Sequence, residues 1–174
     1  MTKYKCILMD PPWLERGGGR IKRGADRHYP LLKSDDINAI AFDVLHRQIN
    51  HNNCHLWVWV TNNYLPDGIN LIKHLHFRYI TNIVWVKMRD GKLQKGLGQY
   101  TRGSHELLLF ATSGKAMVPP PERRPPTVLF AERTKHSSKP DKSFELIETI
   151  SPGPRLEMFA RDNRNGWDRW SEEQ

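Results

Sequence analysis

Only two cysteines, Cys6 and Cys54, occur in the 174 residues. That is too few for a disulfide framework and suits a reducing compartment. No apolar run approaches the roughly 18 residues a membrane span needs, and the start, M-T-K-Y-K, has no signal-peptide core. Acidic residues are scarce beside basic ones, 19 against 27, which leaves a formal net charge of +8. These shortages point away from secreted and membrane proteins, toward a cytoplasmic protein with a polyanionic partner. The glycines after Arg16 are followed by no Gly-Lys-Ser/Thr, so a nucleotide P-loop is excluded. His51, Cys54 and His55 crowd one turn and strand with no fourth ligand at a finger-like spacing, so no metal is expected. No internal repeat occurs, and the length fits one domain over residues 1–174.

What is present is a series of apolar strands broken by helical and loop patterns. Tyr4 to Met9 reads as a buried strand stopped by Pro11. Ser34 reads as the N-cap of a helix running toward Gln48, with Asp35 and Asp36 in its first turn. His55 to Val60 is a strand rich in β-branched and aromatic residues, Tyr64 to His76 a helix by the spacing of Leu65, Ile69, Ile72 and Leu75, and Tyr79 to Val86 a third strand. His105 to Phe110 and Val128 to Phe130 follow, separated by a segment with five prolines at 118–126 that must be extended. Asp141 to Ile150 is a helix, and Arg155 to Phe159 a final strand. Strands alternating with helices predict an α/β fold: a mostly parallel sheet with helices on both faces.

The chemistry concentrates at Asp10-Pro11-Pro12-Trp13, at the carboxyl end of the first strand, where open α/β sheets bind ligands. Two successive prolines stiffen the turn and donate no backbone N–H, which leaves carbonyls to accept. A carboxylate and a carbonyl beside an indole suit a flat base bearing an exocyclic amino group. Leu14 to Arg27 holds four glycines and five basic residues, among them Arg16, Arg20, Lys22 and Arg23, and reads as a loop that meets phosphates. A second basic, glycine-bearing connection covers residues 87–104. Trp57, Trp59 and Trp85 lie in strands and read as core. His105 and Glu106 are expected to pack or bond at the start of their strand.

One ordered series then carries a resemblance: Asp10-Pro11-Pro12-Trp13, Tyr29, Ser34, His55 to Val60, Trp85-Val86-Lys87, His105-Glu106-Leu107, Lys139-Pro140-Asp141, Glu157 to Arg161, and Gly166-Trp167 with Trp170. The chain resembles the adenine-N6 methyltransferases related to the catalytic subunit that methylates eukaryotic messenger RNA, a family with bacterial and phage members. The resemblance implies a Rossmann-like, S-adenosylmethionine-dependent methyltransferase fold in permuted (β-class) order, with the catalytic strand first and the cofactor strand last. It implies that Asp10, Lys139, Glu157, Phe159, Arg161 and Asn163 hold S-adenosylmethionine, Lys139 at the methionine carboxylate and Glu157, Arg161 and Asn163 near the ribose. Trp13 and Tyr29 would sandwich the target base, and Tyr100 and Arg102 lie in a loop bordering the acceptor pocket. Longer members supply contacts to the cofactor's adenine from a segment before the catalytic strand. Here those contacts are expected around Asn163 and the tail, where Glu172-Glu173 stand in place of an Asn-Gln pair.

The expected reaction is methyl transfer to N6 of adenine in nucleic acid, more readily DNA than RNA, because the short chain shows no appended recognition domain. An inactive nucleic-acid-binding partner subunit is the other class. The intact motif and Lys139 favour activity. A base inside a duplex must be flipped to reach such a pocket. Basic loops imply loose sequence preference and binding that falls steeply with salt. A homodimer is expected from the family's habit of pairing subunits.

Overall fold

The structure is a computed structural model that describes residues 3–14, 31–133 and 138–171. Its elements, in chain order, are β1 (Cys6–Met9), α1 (Ser34–Leu45), β2 (Asn53–Val60), α2 (Leu65–His74), β3 (Arg78–Arg89), β4 (Lys92–Leu93), β5 (His105–Gly114), β6 (Val128–Glu132), α3 (Asp141–Ile150), β7 (Arg155–Met158) and β8 (Asp168–Trp170). They form one sheet of order β4-β3-β5-β2-β1-β7-β8, with β6 also paired to β3. β1 lies parallel to both β2 and β7, and β7 parallel to β8. β5 runs antiparallel to β2 and β3, and β4 antiparallel to β3. All strands except β4 and β5 therefore point one way, and the sheet is mixed rather than mostly parallel in its pairing, because β5 inserts antiparallel between β2 and β3.

Both faces are covered, which explains why the central strands are apolar at every position rather than at alternate ones. Ile7, Met9, Leu56, Val58 and Val60 project toward Ile37 and Leu45 of α1 and Leu71 and Ile72 of α2. Cys6, Leu8, Trp57 and Trp59 project to the opposite face, against Phe144, Ile147 and Ile150 of α3. Each fully buried Leu or Ile contributes about 1.5–3 kcal/mol, so the middle of the sheet anchors the strand ends that follow it. Gly68 lets α2 approach closely, since a Cβ there would stand 2.6 Å from Cγ1 of Val60.

Polar groups within the core are tied in. His55 is enclosed, with Nε2 2.8 Å from the Met117 carbonyl and Nδ1 2.8 Å from Oγ of Ser151. A carbonyl only accepts, so Nε2 carries the proton and Nδ1 accepts from the serine, whose oxygen accepts from Trp57 Nε1 at 2.9 Å. Burial holds the imidazole below its ordinary pKa, and both nitrogens are occupied by structural partners. Cys6 and Cys54 are free, buried thiols; burial pushes Cys6 up to about 12.

Two local expectations change. Ser34 is the first residue of α1, not its cap; Lys33 holds the cap position. The serine hydroxyl donates instead to Oδ1 of Asp67 at 2.5 Å, tying α1 to α2. The segment after Trp167, expected to be tail, supplies the edge strand β8. It is fastened to the start of the chain by Tyr4, whose hydroxyl donates to Asp168 Oδ2 at 2.6 Å. No helix among the described residues is long and apolar enough to cross a membrane.

Candidate active site

The parallel register sets Leu8 of β1 beside Glu157 of β7 and Met9 beside Met158. Asp10 follows directly and donates its backbone N–H to the Met158 carbonyl at 3.4 Å. Residues from opposite ends of the chain thus meet at the carboxyl ends of three parallel strands, where α/β sheets bind ligands. A cleft opens there, lined by Asp10, Trp59, Ser138, Lys139, Phe144, Glu157, Phe159, Arg161, Asp162, Asn163 and Arg164. All six residues expected to hold the cofactor, Asp10, Lys139, Glu157, Phe159, Arg161 and Asn163, are among them.

Lys139 is the hub of the site. It stands just before α3, and its ammonium lies 2.8 Å from Asp10 Oδ1 and 3.3 Å from Glu106 Oε2. Glu106 is held from its other side by Lys87 at 2.5 Å. Two cations and two carboxylates therefore alternate through a water-poor pocket. Burial disfavours the charged ammonium, but Asp10 and Glu106 outweigh it and hold Lys139 above the ordinary lysine value. For Glu106 burial works upward, and the two lysines overcome it and keep the carboxyl below its usual range. Glu106 belongs to this network although its sequence suggested only local packing. The visible signal is an acid inside an otherwise apolar strand, H-E-L-L-L-F.

Among the described residues no cation forms an ion pair with Glu157. Burial, and then the negative charge of Asp10, push its carboxyl up to about 7. Next to it Phe159 adopts a left-handed backbone conformation, φ 63°, which is costly for a residue with a bulky side chain and is stored where the surroundings fix it. Its ring packs edge-on against Trp170, centroids 5.3 Å apart. Beyond it the chain is pinned to α3. Arg164 bonds Asp141 at 2.8 Å and covers the Phe144 ring at 3.6 Å, while Trp167 donates to Glu148 at 2.7 Å.

The proline turn is more occupied than its sequence implies. The Pro11 carbonyl accepts the Trp13 N–H at 2.9 Å, and the Pro12 carbonyl accepts the Leu32 N–H at 2.8 Å. A carbonyl has two lone pairs, so each keeps one acceptor site. Trp13 stands beside the cleft and not in its lining. Its ring stacks on Tyr64, centroids 5.5 Å and planes 13° apart, and its indole N–H donates to the Trp59 carbonyl at 3.1 Å. At 8% exposure it braces the turn, and one ring face is taken by Tyr64. Tyr100 and Arg102 lie on an exposed loop away from the cleft lining. Tyr100 is 99% exposed, and Arg102 donates to the Gly96 carbonyl at 2.9 Å. Tyr29, Arg16, Arg20, Lys22, Arg23, Glu172 and Glu173 lie outside the described residues.

Residues 4–173 match the family model MT-A70. The chain is 31% identical over 188 residues to the Type II methyltransferase M.MunI of Mycoplasma sp, covering 97% of this chain and 76% of that protein. It is 25% identical to the N(6)-adenosine-methyltransferase catalytic subunit METTL3 of Homo sapiens and 26% identical to the human N(6)-adenine-specific methyltransferase METTL4. It covers 26% and 37% of those two proteins. A match over nearly every residue, with the acid, the lysine and the strand-end carboxylate gathered in one cleft, has one reading: this chain belongs to the MT-A70 family.

Proposed function

We propose that the protein transfers a methyl group from S-adenosylmethionine to N6 of adenine in nucleic acid, with DNA as its substrate. The observation that carries this reading is the convergence of Asp10, Lys139 and Glu157 from three distant segments on one cleft. Supporting DNA is the 31% identity to the Type II methyltransferase M.MunI over 97% of this chain.

The residues present fit the cofactor. It carries a carboxylate, an ammonium and ribose hydroxyls, and the cleft offers both signs of charge: Lys139, Arg161 and Arg164 on one side of the ledger, Asp10, Glu157 and Asp162 on the other. Lys139 would hold the carboxylate and Glu157 the ribose hydroxyls. When bound, S-adenosylmethionine would supply an electrophilic methyl group to the N6 lone pair. Asp10 Oδ2 and the second lone pair of the Pro11 carbonyl accept the two N6 hydrogens. That draws the nitrogen out of conjugation with the ring and aims its lone pair. The ammonium of Lys139 keeps Asp10 ionised for this task, and most of the gain is orientation and preorganised electrostatics. Lys95 and Arg102, exposed on the 95–102 loop, supply phosphate contacts that position the strand without reading it.

The test is to incubate duplex and single-stranded DNA, and separately RNA, with the protein and methyl-deuterated cofactor, then digest to nucleosides for mass spectrometry. Labelled N6-methyl-2′-deoxyadenosine is expected. Label in RNA alone would move the substrate to RNA, and label on cytosine or on nothing would overturn the reading. Glu157 adds a pH signature. Its carboxyl, raised to about 7, is increasingly protonated below that pH and then accepts ribose hydroxyls poorly. S-adenosylhomocysteine affinity should therefore weaken as pH falls from 8 to 6, by up to about tenfold per unit at the steepest, and Glu157→Gln should flatten the dependence. Titration calorimetry across that range checks it, and a wild-type affinity that does not change with pH would refute the role.

A further inference from the structure

Four buried side-chain polar atoms among the described residues lack a hydrogen-bond partner: Asn38 Oδ1, Trp59 Nε1, Gln94 Oε1 and Arg155 Nε. Only Trp59 also lines the Asp10 cleft. The residue is 1% exposed. The neighbouring tryptophans are all partnered: Trp13 Nε1 donates to the Trp59 carbonyl, Trp57 Nε1 to Ser151 and Trp85 Nε1 to Ala131. Buried donors are satisfied almost without exception, and one left open at a ligand cleft calls for an explanation.

We propose that the Trp59 indole N–H is a ligand-binding donor that, with Lys139, forms a clamp for the carboxylate of the methyl donor's amino-acid end. The inference rests on the cofactor reading above and extends it to a residue that its strand pattern marks only as core. Three observations select the carboxylate. The Lys139 ammonium stands over the Trp59 ring, 5.4 Å from its centroid, and both residues border the same corner of the cleft. An acceptor entering that corner meets a neutral donor and a positive charge, which favours an anion, and the carboxylate is the only anionic group of S-adenosylmethionine. The sheet order settles the direction. β2, with Trp59, and β7, with Glu157, flank β1 on opposite sides. A ligand whose ribose sits at Glu157 and spans β1 brings its amino-acid end to Trp59, with its adenine at the other end. Lys139 has three N–H donors, enough to keep Asp10 and Glu106 and still hold the carboxylate.

The experiment compares S-adenosylhomocysteine with 5′-methylthioadenosine, which keeps the adenine, ribose and thioether and has neither carboxylate nor ammonium. Binding of each to wild-type protein and to Trp59→Phe is measured by calorimetry. Loss of a hydrogen bond to a charged group predicts about tenfold or greater weakening for S-adenosylhomocysteine and an unchanged affinity for 5′-methylthioadenosine. Equal weakening of both ligands, or of neither, overturns the clamp. A measurement on wild-type protein decides the matter even if the variant folds poorly: the Trp59 indole N–H resonance should move downfield with S-adenosylhomocysteine and stay in place with 5′-methylthioadenosine. A resonance that both ligands move alike overturns it. If S-adenosylhomocysteine does not bind wild-type protein at all, the proposed function falls and the clamp with it. If it binds without engaging Trp59, the function stands and only the clamp falls.

Discussion

Lys139→Met is expected to abolish measurable S-adenosylhomocysteine binding and to destabilise the ligand-free protein by about 3–5 kcal/mol at neutral pH, the usual effect of removing one partner of a buried charge pair. The lysine neutralises Asp10 at 2.8 Å and Glu106 at 3.3 Å at once. Without it Lys87 alone faces Glu106, and Asp10 loses its ion-pair partner while the Glu157 carboxyl stays near it in the cleft. The loss must depend on pH, and its sign follows from the carboxyls. In the wild type the depressed Glu106 pKa contributes stability that is complete above the unfolded carboxyl value and fades as pH falls through the folded one. In the variant, burial dominates and the acids take up protons at higher pH, so acidification relieves the repulsion. Urea unfolding at pH 7.5 and pH 5.5 should show the wild-type advantage shrinking at the lower pH. A loss below about 1 kcal/mol, or an equal loss at both pH values, would show that the network is only a surface feature.

Asp10→Ala should lower single-turnover methyl transfer by about a thousandfold, the upper end of what removing one preorganised polar contact costs, while S-adenosylhomocysteine affinity stays within tenfold. Lys139 keeps Glu106 as a partner in this variant, so the fold survives and the cofactor lysine stays in place. A radiolabelled methyl assay beside a ligand titration separates the two quantities. Retention of a tenth or more of the wild-type rate would remove Asp10 from the chemistry.

Much of this architecture was legible because both faces of the sheet are covered. Runs such as Cys6-Ile7-Leu8-Met9 and Leu56-Trp57-Val58-Trp59-Val60 are apolar at every position and declare themselves as central strands. The helices followed from Ser34 with the acids after it, from Leu65, Ile69, Ile72 and Leu75, and from the proline start at Pro140-Asp141. β8 did not show, because Asp168-Arg169-Trp170 is three residues held by pairing with β7 and buries little of its own. Ser34 was misplaced by one position because its partner, Asp67, lies on another helix, and a long-range bond leaves no local trace. The lining of the cofactor cleft came through the ordered resemblance and not from periodicity. Trp59 escaped both routes, since a tryptophan that packs and a tryptophan that also binds look alike in a strand pattern. Glu106 was visible as an acid, but its pairing with Lys139 needed the third dimension.

The contact between β1 and β7 has a consequence for how the protein comes into being during translation. The acid at position 10 is made long before its neighbours Glu157 and Phe159, and the Tyr4–Asp168 tie closes later still. A half-made chain therefore has no pocket and cannot touch nucleic acid chemically. The cleft is complete only once the β7 segment has been made, and a product ending before it lacks the Glu157 wall.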